Sequence, residues 1–265
     1  MRKSKTLEKF RSGDVVKLAV LGHYIPAYVS HAARAGYDCI WLDLEHKAMG
    51  PRDVEALLVH FHLHDIDCML RPPTREKARL YRYLEDGAAG LMIPHVNTPE
   101  EARLLVQAVK FPPLGDRGMD NAGLDSGYRL ERNNSHYAED ANRETFLTIQ
   151  IETPEAVRNC EAMAAMEGID ALFVGPSDLG YRYKLEGDTD GSKLEEAFET
   201  VAAACKKHGK AWGAPAFGKE TLQKRISQGG QLLANFDPYM ALMDGLNMAV
   251  SDFAVEATPS RVVTP

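Results

Sequence analysis

Several things are scarce in this chain, and each scarcity removes a class of function. Only four cysteines occur, Cys39, Cys68, Cys160 and Cys205, with no paired spacing. That tells against a disulfide framework or a cysteine zinc site and predicts reduced core thiols in a cytoplasmic protein. No apolar run approaches the roughly 18 residues of a membrane span. The opening Met1-Arg-Lys-Ser-Lys-Thr-Leu-Glu-Lys-Phe10 is basic, but no apolar stretch follows it, so it does not read as a signal peptide. Runs of Lys and Arg are missing as well. With a formal net charge of −7, this argues against a nucleic-acid surface. Neither a GxGxxG turn nor a P-loop occurs, so the common nucleotide-phosphate cradles are absent.

What remains is a globular composition, 45% hydrophobic and 26% charged over 265 residues. Short apolar or β-branched runs alternate with helical patterns eight times. The strand candidates are 17–22, 39–43, 67–72, 90–94, 146–152, 171–175, 211–215 and 231–236. Helical stretches between them include Pro51–His64, Arg75–Asp86, Pro99–Val109, Pro154–Met166 and Lys193–His208. Glycines at 36, 87, 168, 209 and 229–230 stop helices ahead of the next strand. Thr98-Pro99-Glu-Glu101 and Thr153-Pro154-Glu155 read as N-cap plus proline starts. Eight such units without a composition break predict a single-domain (β/α)₈ TIM barrel over 1–265. One segment breaks the rhythm: 111–144 is polar and aperiodic, the pattern of a functional loop or an interface.

In such a barrel the active site lies at the carboxyl ends of the strands. Reading those ends gives Asp43, Glu45 and His46 after strand two, Arg71 after strand three and Pro94-His95 after strand four. Gln150 and Glu152 close strand five, and Gly175-Pro176-Ser177-Asp178 follows strand six. An unpaired carboxylate ending an apolar run is costly in a core. Glu152 and Asp178 make sense as ligands of a divalent cation such as Mg²⁺, Mn²⁺ or Co²⁺ with open coordination positions. That metal would chelate a 2-oxo acid and stabilise its enolate. Arg71 offers a planar cationic fork to the same oxygens. The Gly175–Pro176 turn brings the N–H groups of Ser177 and Asp178 to the start of a helix, a cradle for a carboxylate. His46, oriented by Asp43, is the proton-moving group. A lysine Schiff base is disfavoured, because Lys17 and Lys210 start strands and Lys47 and Lys184 lie in loops. His60, His62 and His64 look like a metal cluster, yet only His60 and His64 share a helix face.

Together these motifs resemble one family. Trp41-Leu-Asp-Leu-Glu-His46, Leu70-Arg-Pro72, Leu84-Glu-Asp-Gly-Ala88, Ile93-Pro-His-Val96, Phe111-Pro-Pro-Leu-Gly-Asp-Arg-Gly118, Gln150-Ile-Glu-Thr153 and Gly175-Pro-Ser-Asp-Leu179 look like the HpcH/HpaI family of metal-dependent (class II) pyruvate aldolases. The resemblance runs in order from about Leu18 to Asp237. It implies cleavage or formation of 4-hydroxy-2-oxo acids from pyruvate and an aldehyde. It also implies Glu152 and Asp178 as metal ligands, Arg71 and Gln150 against pyruvate, and an Asp43–His46 dyad. By the same resemblance the last helix is exchanged with a neighbour in a hexamer, and the 111–144 loop reaches a neighbour's active site. The chain's departures sit on the rim: Leu18-Ala-Val20 where a tryptophan is common, Lys47 for a small residue, and Gly180-Tyr-Arg-Tyr-Lys184. Two other readings are a citryl- or malyl-CoA-type lyase, which would need a nucleotide groove, and a non-catalytic 2-oxo-acid binder. Mere binding, however, needs no proton-transfer group.

Overall fold

Side-chain alternation along each strand decides what meets inside the molecule. In the computed structural model, which describes residues 1–130 and 135–253, the strands are β1 (Val16–Leu21), β2 (Cys39–Asp43), β3 (Asp67–Arg71), β4 (Gly90–Ile93), β5 (Phe146–Ile151), β6 (Ala171–Val174), β7 (Ala211–Pro215) and β8 (Leu232–Phe236). Each pairs in parallel with the next, and β1 with β8 closes the barrel. The predicted strands agree with these to within one residue at either end.

One parity of each strand points into the barrel. Val16, Leu18, Cys39, Trp41, Met69, Met92, Phe146, Phe173, Leu232 and Ala234 form an inner apolar cluster. The other parity, including Ile40, Leu42, Leu70, Ile93, Ile149 and Leu172, packs under the helices in the larger outer core. Large and small side chains share the inner space: a Cβ on Gly90 would stand 2.3 Å from Cδ2 of Phe146. Continuing the inward parity upward gives Asp43, Arg71 and Gln150. The sequence periodicity therefore carries these polar residues to the upper end of the same interior.

The helices follow in the expected order. They are α1 (Lys5–Ser12), α2 (Pro26–Arg34), α3 (Pro51–Leu63), α4 (Lys77–Glu85), α5 (Pro99–Val109), α6 (Tyr137–Glu144), α7 (Pro154–Ala164), α8 (Pro176–Leu185), α9 (Ser192–His208), α10 (Lys219–Ser227) and α11 (Pro238–Ser251). Thr98 caps α5 in a reciprocal box with Glu101, and Thr153 caps α7 through the Ala156 N–H at 3.0 Å. Helix α1 stoppers the amino end. Its Leu7 joins the inner cluster, and Phe10 meets Phe146 edge-on at 6.2 Å.

The 111–144 segment is not one aperiodic loop. It contains a 3₁₀ turn (Leu124–Ser126) and α6. Arg117, Asp125 and Tyr137 form a buried knot, with the Tyr137 hydroxyl donating to Asp125 at 2.7 Å and the Arg117 guanidinium stacked on Phe111. Glu144 of α6 accepts from the Ser4 N–H at 3.1 Å. The end of this segment is thus committed to the amino end of its own barrel.

Helix α11 behaves differently from the rest. None of its residues is buried, and Tyr239, Met240, Leu242, Met243, Leu246, Met248 and Val250 are all exposed. Among the described residues no helix is long and apolar enough to cross a membrane.

Candidate active site

Asp43 and Arg71 end neighbouring strands and stand opposite each other in the β2–β3 register. Their side chains form a two-pronged ion pair, Nε to Oδ1 at 2.9 Å and Nη2 to Oδ2 at 2.9 Å. The guanidinium also lies 4.5 Å above the Trp41 ring, which holds it flat. Its remaining nitrogen, Nη1, is 3.0 Å from Glu45 Oε2 and 3.4 Å from Gln150 Oε1. A cationic fork is therefore fixed on four sides at the carboxyl mouth of the barrel, with only 7% of its side chain exposed.

Across the mouth, Gln150 donates to Glu152 Oε2 at 2.6 Å. Glu152 Oε1 accepts the His95 backbone N–H at 2.6 Å and lies 2.7 Å from His95 Nδ1. His95 Nε2 is in turn 2.8 Å from Glu45 Oε1. Burial pushes the Glu152 carboxyl above its ordinary range. The charges of Glu45 and Asp178 add to that push, while the His95 N–H and ring oppose it. Asp178 sits in the first turn of α8, exposed at the rim. There is no room for a side chain at Gly175, where a Cβ would meet Gln150 Nε2 at 2.9 Å and Glu152 Cβ at 3.2 Å. Backbone can thus come right down to the acids, ahead of the free N–H groups that open α8.

Most of the expected residues converge here: Arg71, Gln150 and Glu152 by direct contact, with Asp178 near enough for its charge to act on Glu152. The Asp43–His46 pairing does not form. Both Asp43 oxygens bind Arg71, since the inward parity of β2 aims Asp43 at its register neighbour. His46 lies outside the strand, 62% exposed in its side chain, with Nε2 3.5 Å from Glu45 Oε2. Residues left unassigned by the sequence turn out to be central. Glu45 bridges Arg71, His46 and His95, and its position two residues after Asp43 was the signal.

Other candidates fall away. His62 Nε2 is paired with the Gly87 carbonyl at 3.0 Å, and His60 stacks on His64. Lys110, the deeply buried lysine, holds the Thr145 carbonyl at 2.6 Å and Asp170 at 3.4 Å, away from the strand ends. A groove of about 750 Å³ lies outside the barrel between α7, α8 and α9; there the charges balance, with Arg158, Lys193 and Lys207 beside Glu161, Glu186 and Glu196.

Residues 21–235 match the HpcH/HpaI aldolase/citrate lyase family, which is most of the chain. The chain belongs to that family. It is 33% identical over 202 residues to the hydroxypyruvate/pyruvate aldolase of Sagittula stellata, covering 76% of this chain and 79% of that one. It is 30% identical over 231 residues to the 2-keto-3-deoxy-L-rhamnonate aldolase of Salmonella paratyphi B, covering 86% and 84%. The crystal structure of an HpcH/HpaI aldolase from Desulfitobacterium hafniense superposes with a TM-score of 0.86 at 27% identity, covering 94% of this chain and 97% of that one. As an HpcH/HpaI protein, the chain is a carbon–carbon lyase of the class II pyruvate-aldolase type.

Proposed function

We propose that this HpcH/HpaI aldolase cleaves and forms 4-hydroxy-2-oxo acids, joining pyruvate or a related 2-oxo acid to an aldehyde, with a divalent cation held by Glu152 and Asp178. The observation that carries the reading is the pairing of a rigid guanidinium with a cup of acids that has too few cations. Arg71 is clamped by Asp43 and Trp41 and meets Glu45, Gln150 links it to Glu152, and the charge of Asp178 acts on Glu152 in turn. The donor set fits Mg²⁺, Mn²⁺ or Co²⁺: hard oxygens on adjacent strand ends, a carboxyl disfavoured as a bare anion, and a glycine where a side chain would block the approach. When bound, such an ion supplies Lewis-acid charge to the oxygens of the 2-oxo acid.

The chain's own residues then divide the remaining work. Arg71 donates to the C2 oxygen as it gains negative charge, the task for which a preorganised fork suits best. Gln150 fixes Glu152 and Arg71 relative to each other. Gly175, Pro176, Ser177 and Asp178 bring the N–H groups of the α8 start to the substrate carboxylate. His46, beside Glu45, takes the proton from the C4 hydroxyl in cleavage and returns it in synthesis.

The apolar faces of α11 support its exchange onto a neighbouring subunit, in an assembly we take to be a hexamer. The four cysteines, all free and buried, support a reducing compartment, the cytoplasm.

The test is purified protein with Mn²⁺ or Mg²⁺, pyruvate and a panel of aldehydes, reading carbon–carbon bond formation and its reversal. His46→Ala should cut aldol cleavage by roughly 10²–10⁴-fold while sparing oxaloacetate decarboxylation, which removes no hydroxyl proton. Borohydride trapping of a pyruvate adduct on a lysine would defeat the metal reading.

A further inference from the structure

Glu152 does not hold its own position. Three donors define it: the His95 N–H and the His95 ring on Oε1, and the Gln150 amide on Oε2. A carboxylate offers about four lone-pair sites, so a single one is left, on Oε2. The residue supplying two of the three donors has an unusual backbone. His95 follows β4 with φ at 58°, a left-handed conformation rare outside glycine, asparagine, aspartate and histidine. Arg75 braces it by binding the Pro94 carbonyl at 3.0 Å and the His95 carbonyl as well. The far nitrogen of the ring reaches Glu45, which also touches Arg71.

We propose that His95 is the positioning residue of the metal site: it locks the Glu152 carboxylate with one Oε2 lone pair left over, which would be available to a cation, and it ties that carboxylate through Glu45 to Arg71. This rests on the reading that Glu152 and Asp178 hold the cation. His95 acts from outside the coordination sphere, since its Nδ1 is directed at Oε1. Removing a hydrogen-bond partner of a ligating group typically costs 10–100-fold in metal affinity.

The experiment is direct titration with Mn²⁺ followed by electron paramagnetic resonance on four proteins: wild type, His95→Gly, His95→Asn and Glu152→Gln. Glycine removes the ring without straining the left-handed backbone. Asparagine tolerates the same backbone and puts an amide N–H near the place of Nδ1, without reaching Glu45. His95→Gly should bind Mn²⁺ about 10–100-fold more weakly, and His95→Asn should recover most of that loss. Electron-spin-echo spectra of the wild type should show no nitrogen bound directly to Mn²⁺. Wild-type affinity in His95→Gly, no recovery in His95→Asn, or a directly bound nitrogen would each overturn the proposal. Wild-type affinity in Glu152→Gln would instead remove the metal reading on which it stands. Thermal melting of each variant separates these losses from unfolding.

Discussion

At the amino end of β3, Asp67 is fully buried and accepts from Arg2 at 2.5 Å, Ser4 Oγ at 2.7 Å and the Thr6 N–H at 2.8 Å. At the carboxyl end of the same strand, Arg71 faces Asp43 and Glu45, and beyond Gln150 stands Glu152, on which the charge of Asp178 acts. The residue types are alike, and the difference is one of balance. Around Asp67 the donors match the acid, so the cluster is closed and serves to seat the stopper α1. Around Arg71 the acids outnumber the cation, and burial leaves Glu152 reluctant to ionise alone. On the proposed reading, that excess of acid is the place of the divalent cation. The lower cluster stabilises, and the upper one is where we propose that the cation binds.

Four measurements sharpen or break this contrast. The largest effect should come from emptying the upper cup. Chelation, Glu152→Gln or Asp178→Asn should abolish aldol activity at unchanged far-ultraviolet circular dichroism, and added Mg²⁺, Mn²⁺ or Co²⁺ should restore only the chelated wild type. Activity that survives exhaustive chelation would end the contrast. Next, Arg71→Ala should lower kcat at least about 100-fold, the scale of losing an oxyanion donor. Arg71→Lys should recover little, because an ammonium cannot make the flat two-pronged pair with Asp43. A variant with wild-type turnover would reduce Arg71 to a structural role.

At the lower end, Asp67→Ala should leave Arg2, Ser4 and the Thr6 N–H short of an acceptor. The unfolding free energy should fall by about 3 kcal/mol, as for a broken buried pair, with kcat/KM within about twofold of wild type. A drop in kcat/KM beyond that range would show the two ends to be coupled. The smallest effect concerns a pair on the outer wall, belonging to neither end. Arg225 stacks on Phe198 and binds Glu195 at 2.8 and 2.9 Å, which holds the Glu195 carboxyl down at about 2 from an ordinary 4.5. A depressed acid contributes stability that is complete above its unfolded value and fades as the pH falls from about 4.5 towards 2. Urea midpoints measured from about pH 6 down to about pH 3 should fall more steeply for wild type than for Glu195→Gln. Identical slopes would mean the pair adds nothing in solution.

The barrel was legible because its signals are local. Short apolar or β-branched runs, glycine stops and Thr-Pro starts each need only a few neighbours, and all eight strands follow from them. The site was half legible. Strand-end position brought out Arg71, Gln150, Glu152 and Asp178. Asp43 was matched to the wrong partner because His46 is three residues away in sequence, whereas the register neighbour Arg71 is 28 residues away. Asp67 went unmarked for a similar reason, since its donors come from residues 2–6. Helix α6 was hidden in the 111–144 segment because its polar surface shows little beyond Tyr137 and Ala141 as an apolar stripe.

The pairing of β1 with β8 has a consequence in time. Val16 meets Leu232 across the seam, so the first strand waits for the last before its edge is covered. A chain emerging at roughly 5–20 residues per second exposes that open edge for tens of seconds, with seven strands made and no barrel. When β8 arrives it closes the ring, and the next residues out are those of α11, with seven large apolar side chains exposed. Closure of the ring therefore comes just before the helix that we propose is exchanged. A chain truncated before Leu232 would keep an open strand edge, while one truncated just after Phe236 would have all eight strands and lack the helix of the proposed exchange.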